Sequence, residues 1–161
     1  MITCTFEDGG KGKLRHVTVN ALIVDDGKVL LGLRGTIKGK PLMESGKWSL
    51  IGGFFEHGET LEQAIRREIR EESGFEVQDL TLFRIKDNPH RKGEDRANVE
   101  FVFTAHPAKK IGESDEEVQK LQWFSLDALP PEQTVAFDHY SDLELYANYV
   151  KSPQKLPIFG K

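Results

Sequence analysis

Glu68, Glu71 and Glu72 fall within five residues of a segment whose apolar pattern is helical. At about 100° per residue, Glu71 lies about 60° to one side of Glu68 and Glu72 about 40° to the other. The three carboxylates therefore share one side of a helix. Glu68 and Glu72 are like charges at i, i+4, which costs an isolated helix about 0.2–0.5 kcal/mol. Glu71 and Glu72 also fall in the last turn, where the helix dipole disfavours anions. Local rules broken together mark functional sites. A hard divalent cation would remove the conflict, because such ions take carboxylate oxygens. On the helix alone, a solvated acidic face balanced by Arg66, Arg67 and Arg70 explains the pattern as well.

The helix itself is well specified over residues 60–73. Thr60 is an N-cap, Gln63 three residues on completes a capping box, and Leu61, Ala64, Ile65 and Ile69 form the apolar stripe. Gly74 follows as the helix stop. Upstream, 17–24 and 28–33 read as strands joined at Asp25-Asp26-Gly27, a hairpin. Residues 34–49 read as a loop, and 48–55 as a short apolar segment broken by Gly52 and Gly53. Downstream, strands are expected at 80–87, 98–105 and 121–125, a short helix at 127–129 and a C-terminal helix over 142–150. Strands around one strong helix and a later one suggest an α/β or α+β domain.

The spacing around the glutamates decides between the two readings of the helix. Gly53, Glu59, Arg67-Glu68, Ile69, Glu71-Glu72, Gly74 and Phe75 fit the pattern G-x5-E-x7-R-E-U-x-E-E-x-G-U, with U apolar. All nine specified positions over residues 53–75 are met. This is the Nudix box, and the sequence resembles the Nudix hydrolase family. Weaker similarity runs from about residue 15 to 145. It includes Gly46-Lys47-Trp48 before the box and Trp123-Phe124 with Leu126-Asp127-Ala128-Leu129 after it. Ile51 departs from the proline that many relatives carry before the two glycines.

The resemblance implies an α/β/α sandwich with a mixed sheet between helices. It also implies a Mg²⁺- or Mn²⁺-dependent pyrophosphohydrolase acting on a nucleoside diphosphate linked to another group. Carried over, Glu68 and Glu72 are the best metal ligands, Glu71 is another, and the Gly52 carbonyl is a further one. Glu68 alternatively serves as general base. Arg67 orients the glutamates, Glu59 braces the loop-helix-loop, Gly53 makes a tight turn and Gly74 stops the helix. Relatives often use an acid outside the box. The candidates here are Glu100, Glu113, Asp115, Glu116 and Glu117, and the reading leans to Glu116 or Glu117, with Glu117 carried as a metal ligand.

Physics points the same way. Phosphoanhydride hydrolysis needs charge neutralised on phosphate oxygens and a water held in line, and metal ions supply both. No motif suggests a Ser-His-Asp or Cys-His nucleophile. Two net-positive segments flank the box: 32–47 with Arg34, Lys38, Lys40 and Lys47, and 84–96 with Arg84, Lys86, Arg91, Lys92 and Arg96. Arg34, Arg91 and Arg96 are the expected contacts to substrate phosphates. Trp48, Phe54, Phe83 and Trp123 are candidates to stack on a base. Phe137-Asp138-His139 is similar to a segment near the C-terminal helix of some ADP-ribose-cleaving relatives, with Asp138 or Ser141 as the helix cap. ADP-ribose or a similar nucleotide sugar is thus the first substrate expectation. A (d)NTP pyrophosphohydrolase comes second. An RNA 5′-pyrophosphohydrolase or a non-catalytic ligand sensor ranks behind both.

The composition is consistent with this. The 161 residues carry 22 basic and 26 acidic groups, a net charge of −4. Six acids and three arginines in residues 53–75 account for −3 of it. Such balance does not suit a protein coating long nucleic acid. One cysteine, Cys4, excludes an intrachain disulfide, and no Cys/His zinc spacing occurs. No run reaches a membrane span and no signal-peptide pattern opens the sequence, so a cytoplasmic location is expected. One domain over 1–161 is expected, with 1–14 and 151–161 peripheral, and a homodimer is compatible with the resemblance.

Overall fold

The computed structural model describes residues 2–89 and 98–160. A hairpin of β1 (Ile2–Thr5) and β2 (Lys11–Leu14) comes first and, among the described residues, pairs only with itself. β3 (Val17–Asp25) and β4 (Lys28–Arg34) follow as the expected hairpin. The segment read as a loop contains a small ladder, β5 (Thr36–Ile37) with β6 (Lys40–Pro41). β7 (Trp48–Ser49) and β8 (Ile51–Phe54) lead into α1 (Leu61–Ser73), and β9 (Phe75–Lys86) leaves directly from its end. β10 (Val99–Lys110), β11 (Val118–Ser125), α2 (His139–Lys151) and β12 (Ile158–Gly160) complete the order.

Among the described residues the main sheet has eight strands, in the order β11-β4-β3-β10-β9-β12, with β7 joined to β4 and β8 to β3. β3–β10 and β9–β12 are parallel and the other pairs antiparallel, so the sheet is mixed. The strand period of two sends side chains to opposite faces. Val19, Ala21 and Ile23 of β3 pack with Ala64, Ile65 and Ile69 of α1. Leu22 and Val24 pack with Leu143 of α2. Each face thus has its own apolar core under its own helix, the α/β/α sandwich expected.

α1 forms as the sequence predicts. Thr60 accepts from the Gln63 N–H at 3.2 Å, and the Gln63 side chain accepts from the Thr60 N–H at 2.7 Å. Gly74 sits at φ +66°, and a Cβ there would lie 2.2 Å from the Gly112 carbonyl oxygen. The helix stop therefore needs glycine both for its backbone angle and for room.

Three expectations are corrected. Residues 127–129 form no helix: a turn over the Ser125 carbonyl and hydroxyl holds them, and a 3₁₀ turn appears later, at Glu132–Thr134. The C-terminal helix begins at His139 rather than 142. Asp138 occupies its N-cap position without a side-chain capping bond, because its carboxylate turns to Lys86 at 3.1 Å. Finally, Arg84 and Lys86 are not part of a solvated basic segment but are buried in β9.

Their burial has a local cause. Leu80 and Leu82 face α1, so simple alternation would send Arg84 and Lys86 the same way. In the β9–β10 ladder Arg84 pairs with Val102 but Leu82 with Phe103, which leaves Phe83 as an extra residue. This bulge re-aims the strand. Phe83, Arg84 and Lys86 then all face α2, where Arg84 meets Asp142 at 2.8 Å and Lys86 meets Asp142 at 2.6 Å and Glu100 at 3.1 Å.

Candidate active site

β8 carries Gly52 and Gly53 alongside β3, and α1 carries the glutamates over them. Gly53 is extended strand paired with Val19 and makes no tight turn, contrary to expectation. What it provides is space: a Cβ there would lie 2.6 Å from Glu68 Oε1. Gly52 is the conformationally special residue, with φ +150° and a notional Cβ only 2.1 Å from the Val19 carbonyl oxygen. Its N–H donates to Glu72 Oε2 at 2.8 Å, which fixes a carboxylate that is only 7% exposed.

Arg67 organises the outer side. Its guanidinium donates to both Glu59 oxygens at 3.1 and 2.9 Å, to Glu68 at 2.8 Å, to Glu71 at 3.2 Å and to the Phe54 carbonyl at 3.1 Å. Glu59 also accepts from the Glu56 N–H at 2.8 Å. One planar fork therefore ties the loop before the helix to two of its carboxylates. Arg66, by contrast, pairs with Glu62 and the Val77 carbonyl, away from this set.

The carboxylates are electrostatically crowded. Burial raises Glu68 to about 7 against the pull of Arg67, and Glu71 and Glu117 add to the rise. Burial also pushes Glu72 well above the usual carboxylate range, with Glu68 and Glu117 pushing the same way and the Gly52 N–H and Arg34 opposing. Glu117 is raised by burial and by Asp115 and Glu116. The Arg67 hydrogen bonds hold Glu59 below its ordinary value. Clustered carboxylates that resist ionisation in this way suit a hard divalent cation, which would favour the charged forms. Among the described residues no three His, Cys, Asp or Glu side chains are close enough together to hold an ion as they stand, so a cation would have to draw these in. Glu71 is half exposed and reaches the set only from its rim.

Of the acids outside the box, Glu117 lines the same cleft as Glu72. Glu116 instead accepts from the Lys38 N–H at 2.8 Å, Glu113 is exposed, and Asp115 caps the turn by accepting from the Glu117 N–H. The cleft, of about 250 Å³, is lined by Gly52, Gly53, Glu72 and Glu117 together with Thr18, Asn20, Glu100 and His139. Arg34 lines it, donating to the Met43 carbonyl at 2.8 Å and resting 4.8 Å from the centre of the Phe137 ring. Arg91 and Arg96 lie outside the described residues. Of the candidate stacking residues, Phe54 alone reaches the cleft. Phe83 is fully buried, and Trp48 and Trp123 pack against the two cores.

The cleft also holds residues whose contacts the sequence did not show. The Leu50 N–H donates to His139 Nδ1 at 3.1 Å, so the neutral ring carries its proton on Nε2, 3.6 Å from Glu100 Oε1. Phe137 has a left-handed backbone, φ +56°, uncommon for a bulky residue and frequent at functional sites. The alternation of Val99, Phe101 and Phe103 does predict that Glu100 turns to the other face, and it does. No sequence signal, however, brings it next to Asn20 across a parallel pair 80 residues apart.

The known proteins that this chain is similar to agree with the geometry. The model of the NUDIX domain matches residues 14–144. An oxidized purine nucleoside triphosphate hydrolase of Danio rerio is 39% identical over 119 residues, covering 73% of this chain and 70% of the relative. An ADP-ribose pyrophosphatase of Methanocaldococcus jannaschii is 31% identical over 133 residues, covering 83% and 73%. The crystal structure of a NUDIX hydrolase from Nitrosomonas europaea superposes with a TM-score of 0.77 at 24% identity, over 94% of this chain and 81% of that one, a likeness of fold.

Proposed function

This chain belongs to the Nudix hydrolase family, a pyrophosphatase by class, and from that premise we propose that it cleaves a phosphoanhydride of a nucleotide with Mg²⁺ or Mn²⁺ bound at the box. The observation that carries this is Glu72: a buried carboxylate, fixed by the Gly52 N–H, beside Glu68 and facing the cleft with Glu117. In this reading Glu68, Glu72, Glu117 and the Gly52 carbonyl would hold the cation, with Glu71 at the rim. A cation held there would supply charge neutralisation at the phosphate oxygens and a lowered pKa for water. Arg67 keeps Glu68 and Glu71 in place. Glu68, when not on the cation, accepts the proton of the attacking water. The water oxygen bonds to phosphorus, the bridging P–O bond breaks, and the two phosphate products separate. Arg34, which lines the cleft near Glu72 and Glu117, holds the phosphates.

Two substrate readings follow. ADP-ribose or a similar nucleotide sugar is supported by the Phe137-Asp138-His139 segment, which forms part of the cleft wall, and by the ADP-ribose pyrophosphatase relative. A (d)NTP is supported by Phe54 and Phe137 at the cleft, as faces for a base, and by the relative named for oxidized purine nucleoside triphosphates. Incubation with Mg²⁺ or Mn²⁺ and product identification separates them. AMP with ribose phosphate indicates the first, and nucleoside monophosphate with pyrophosphate the second. No turnover of either class, with either metal, overturns the proposal.

A further inference from the structure

Glu117, the acid outside the box, sits on the chain between β10 and β11, and that chain is tied on two sides. On one side is the end of α1. The Asp115 N–H donates to the Glu71 carbonyl at 3.0 Å, and the Ile111 and Gly112 N–H groups donate to the Gly74 carbonyl at 2.8 and 3.2 Å. On the other side is the chain that leaves β4 beyond Arg34. The Gly35 N–H donates to the Glu117 carbonyl at 2.7 Å, and the Thr36 N–H to the Glu116 carbonyl at 3.0 Å. Gly35 leaves room for this approach, since a Cβ there would lie 2.6 Å from the Glu116 carbonyl oxygen. A side chain makes the last tie. β5 and β6 meet at a two-residue turn, Lys38-Gly39, with both residues left-handed at φ +50° and +73°. The Lys38 N–H lies outside the β5–β6 ladder and donates to Glu116 Oε1 at 2.8 Å. Glu116 and Glu117 therefore face different ways: Glu117 lines the cleft, and Glu116 grips the hairpin. The grip has something to resist. Besides burial, the charges of Asp115, Glu116 and Glu71 push Glu117 up, so they repel its carboxylate, while Arg34 draws it in. Held only at α1, the loop would be free to swing that carboxylate away from the box.

We propose that Glu116 is a positioning residue for the reaction. As a hydrogen-bond acceptor, and neither as a metal ligand nor as a proton carrier, it clamps the 36–41 hairpin to the loop that carries Glu117. The clamp keeps Glu117 turned to the box and in register with Arg34, the residue before Gly35 in the chain. Lys38 and Gly35 contribute backbone alone: one gives the N–H that Glu116 accepts, the other the space that the two chains need. The inference rests on the reading above, in which Glu117 helps to hold a cation and Arg34 the phosphates, and it deepens that reading. The sequence singles out Glu116 and Glu117 alike as acids outside the box, and in this assignment the two have separate tasks.

The test uses the full chain, with Mn²⁺ alone as the probe of the site and hydrolysis of ADP-ribose and dGTP as the readout of turnover. Glu116→Gln removes the charge but keeps an amide oxygen for the Lys38 N–H, whereas Glu116→Ala removes the acceptor. Glu116→Ala should weaken Mn²⁺ binding, read by electron paramagnetic resonance on the substrate-free protein, and lower kcat, each by about 10–100-fold, the scale of losing a group that orients a ligand. Glu116→Gln should hold both near the parent's values. The bond is exposed, so neither variant should move the melting temperature by more than about 4 °C. Gly35→Ala, which drives a Cβ into the Glu116 carbonyl, should weaken Mn²⁺ binding as Glu116→Ala does. In a Glu117→Gln background Glu116→Ala should add little, since the clamp acts through Glu117. A Gln variant as impaired as the Ala variant makes Glu116 a ligand or a proton carrier and overturns the proposal. So does parental Mn²⁺ affinity in Glu116→Ala, whatever its melting temperature, and so does an undiminished further loss in the Glu117→Gln background. In each case the hydrolase reading stands. A contrast between Gln and Ala in Mn²⁺ affinity, with no hydrolysis of either substrate by the parent, keeps the clamp and removes the hydrolase reading. A parent that binds no Mn²⁺ overturns the cation site and the clamp with it.

Discussion

Glu72 meets two opposing demands at one residue. It is buried, which disfavours its charge, yet the Gly52 N–H fixes it in the orientation of a ligand. Glu72→Gln should therefore lower metal-dependent kcat by about 10²–10³-fold, the scale of losing one group that stabilises transition-state charge, while the fold persists. Full activity in that variant would remove the residue from the site. Glu68 and Glu72 also set a pH dependence. Their folded pKa values lie above the unfolded value near 4.5, so between that value and about 7 the metal-free folded state binds more protons than the unfolded state. Their contribution to stability is thus greatest below the unfolded pKa and is lost as pH rises through the folded one. Metal-free melting temperature should fall from pH 5 to pH 8, and Mg²⁺ should restore it increasingly at the upper end, because ligands bind the cation deprotonated. A melting temperature insensitive to pH and to Mg²⁺ would contradict this. The glutamates were legible in the sequence because their spacing from Gly53, Glu59 and Arg67 fits the box pattern; the broken helix rules alone did not single them out. Asn20 and His139 were not, since nothing in a polar residue within an apolar strand, or at a helix start, says what it will meet.

At the scale of elements, the loop-helix-loop depends on two glycines for different reasons. Gly74→Ala would force a left-handed backbone onto alanine and drive its Cβ into the Gly112 carbonyl. It should cost more than the ~1 kcal/mol of a simple glycine replacement and leave the metal affinity of the residual folded protein intact. Gly53→Ala is strand-compatible but places its Cβ on the Glu68 carboxylate. It should spare the melting temperature more than Gly74→Ala does and reduce activity more. Thermal melts and kcat of the pair, read together, check this; equal losses in both would refute the division. Thr60→Ala should remove about 1 kcal/mol through the capping box alone. The helix and its ends were readable because caps, stripe and stop are all local. The β9 bulge was not: Leu80, Leu82, Arg84 and Lys86 alternate without interruption, and only pairing with β10 expels Phe83 from the register.

Over the whole molecule, the sandwich is pinned by charge as well as by apolar packing. Asp142 of α2 is fully buried against Arg84 and Lys86 of β9, and Lys86 also reaches Glu100 of β10 and Asp138. Burial alone would depress Lys86, but Glu100, Asp142 and Asp138 together raise it. Taking one member from such a set leaves an uncompensated buried charge. Asp142→Asn should therefore cost about 3–5 kcal/mol and lower the melting temperature by roughly 6–20 °C for a chain of this size. A shift under about 2 °C would show that the network contributes little. The two-layered core was foreseeable from strand and helix patterns. The ionic seam was not, because Arg84, Lys86 and Asp142 read as surface residues until the bulge turns two of them inward.

The parallel pairing of β3 with β10 bears on how the molecule comes into being. Val17–Ile23 must find Val99–Ala105 across some eighty residues, with the box, α1 and β9 all lying between them. Contacts of such long range are slow to form, since loop closure precedes their reward. During synthesis, α1 and its glutamates leave the ribosome well before β10, the strand that brings Glu100 to Asn20 in the cleft. Until then one edge of β3 lacks its hydrogen-bonding partner and is open to mispairing. The cleft is thus a late product of folding, and conditions that slow the closure of β3 on β10 should yield chains that carry an intact box but no completed pocket.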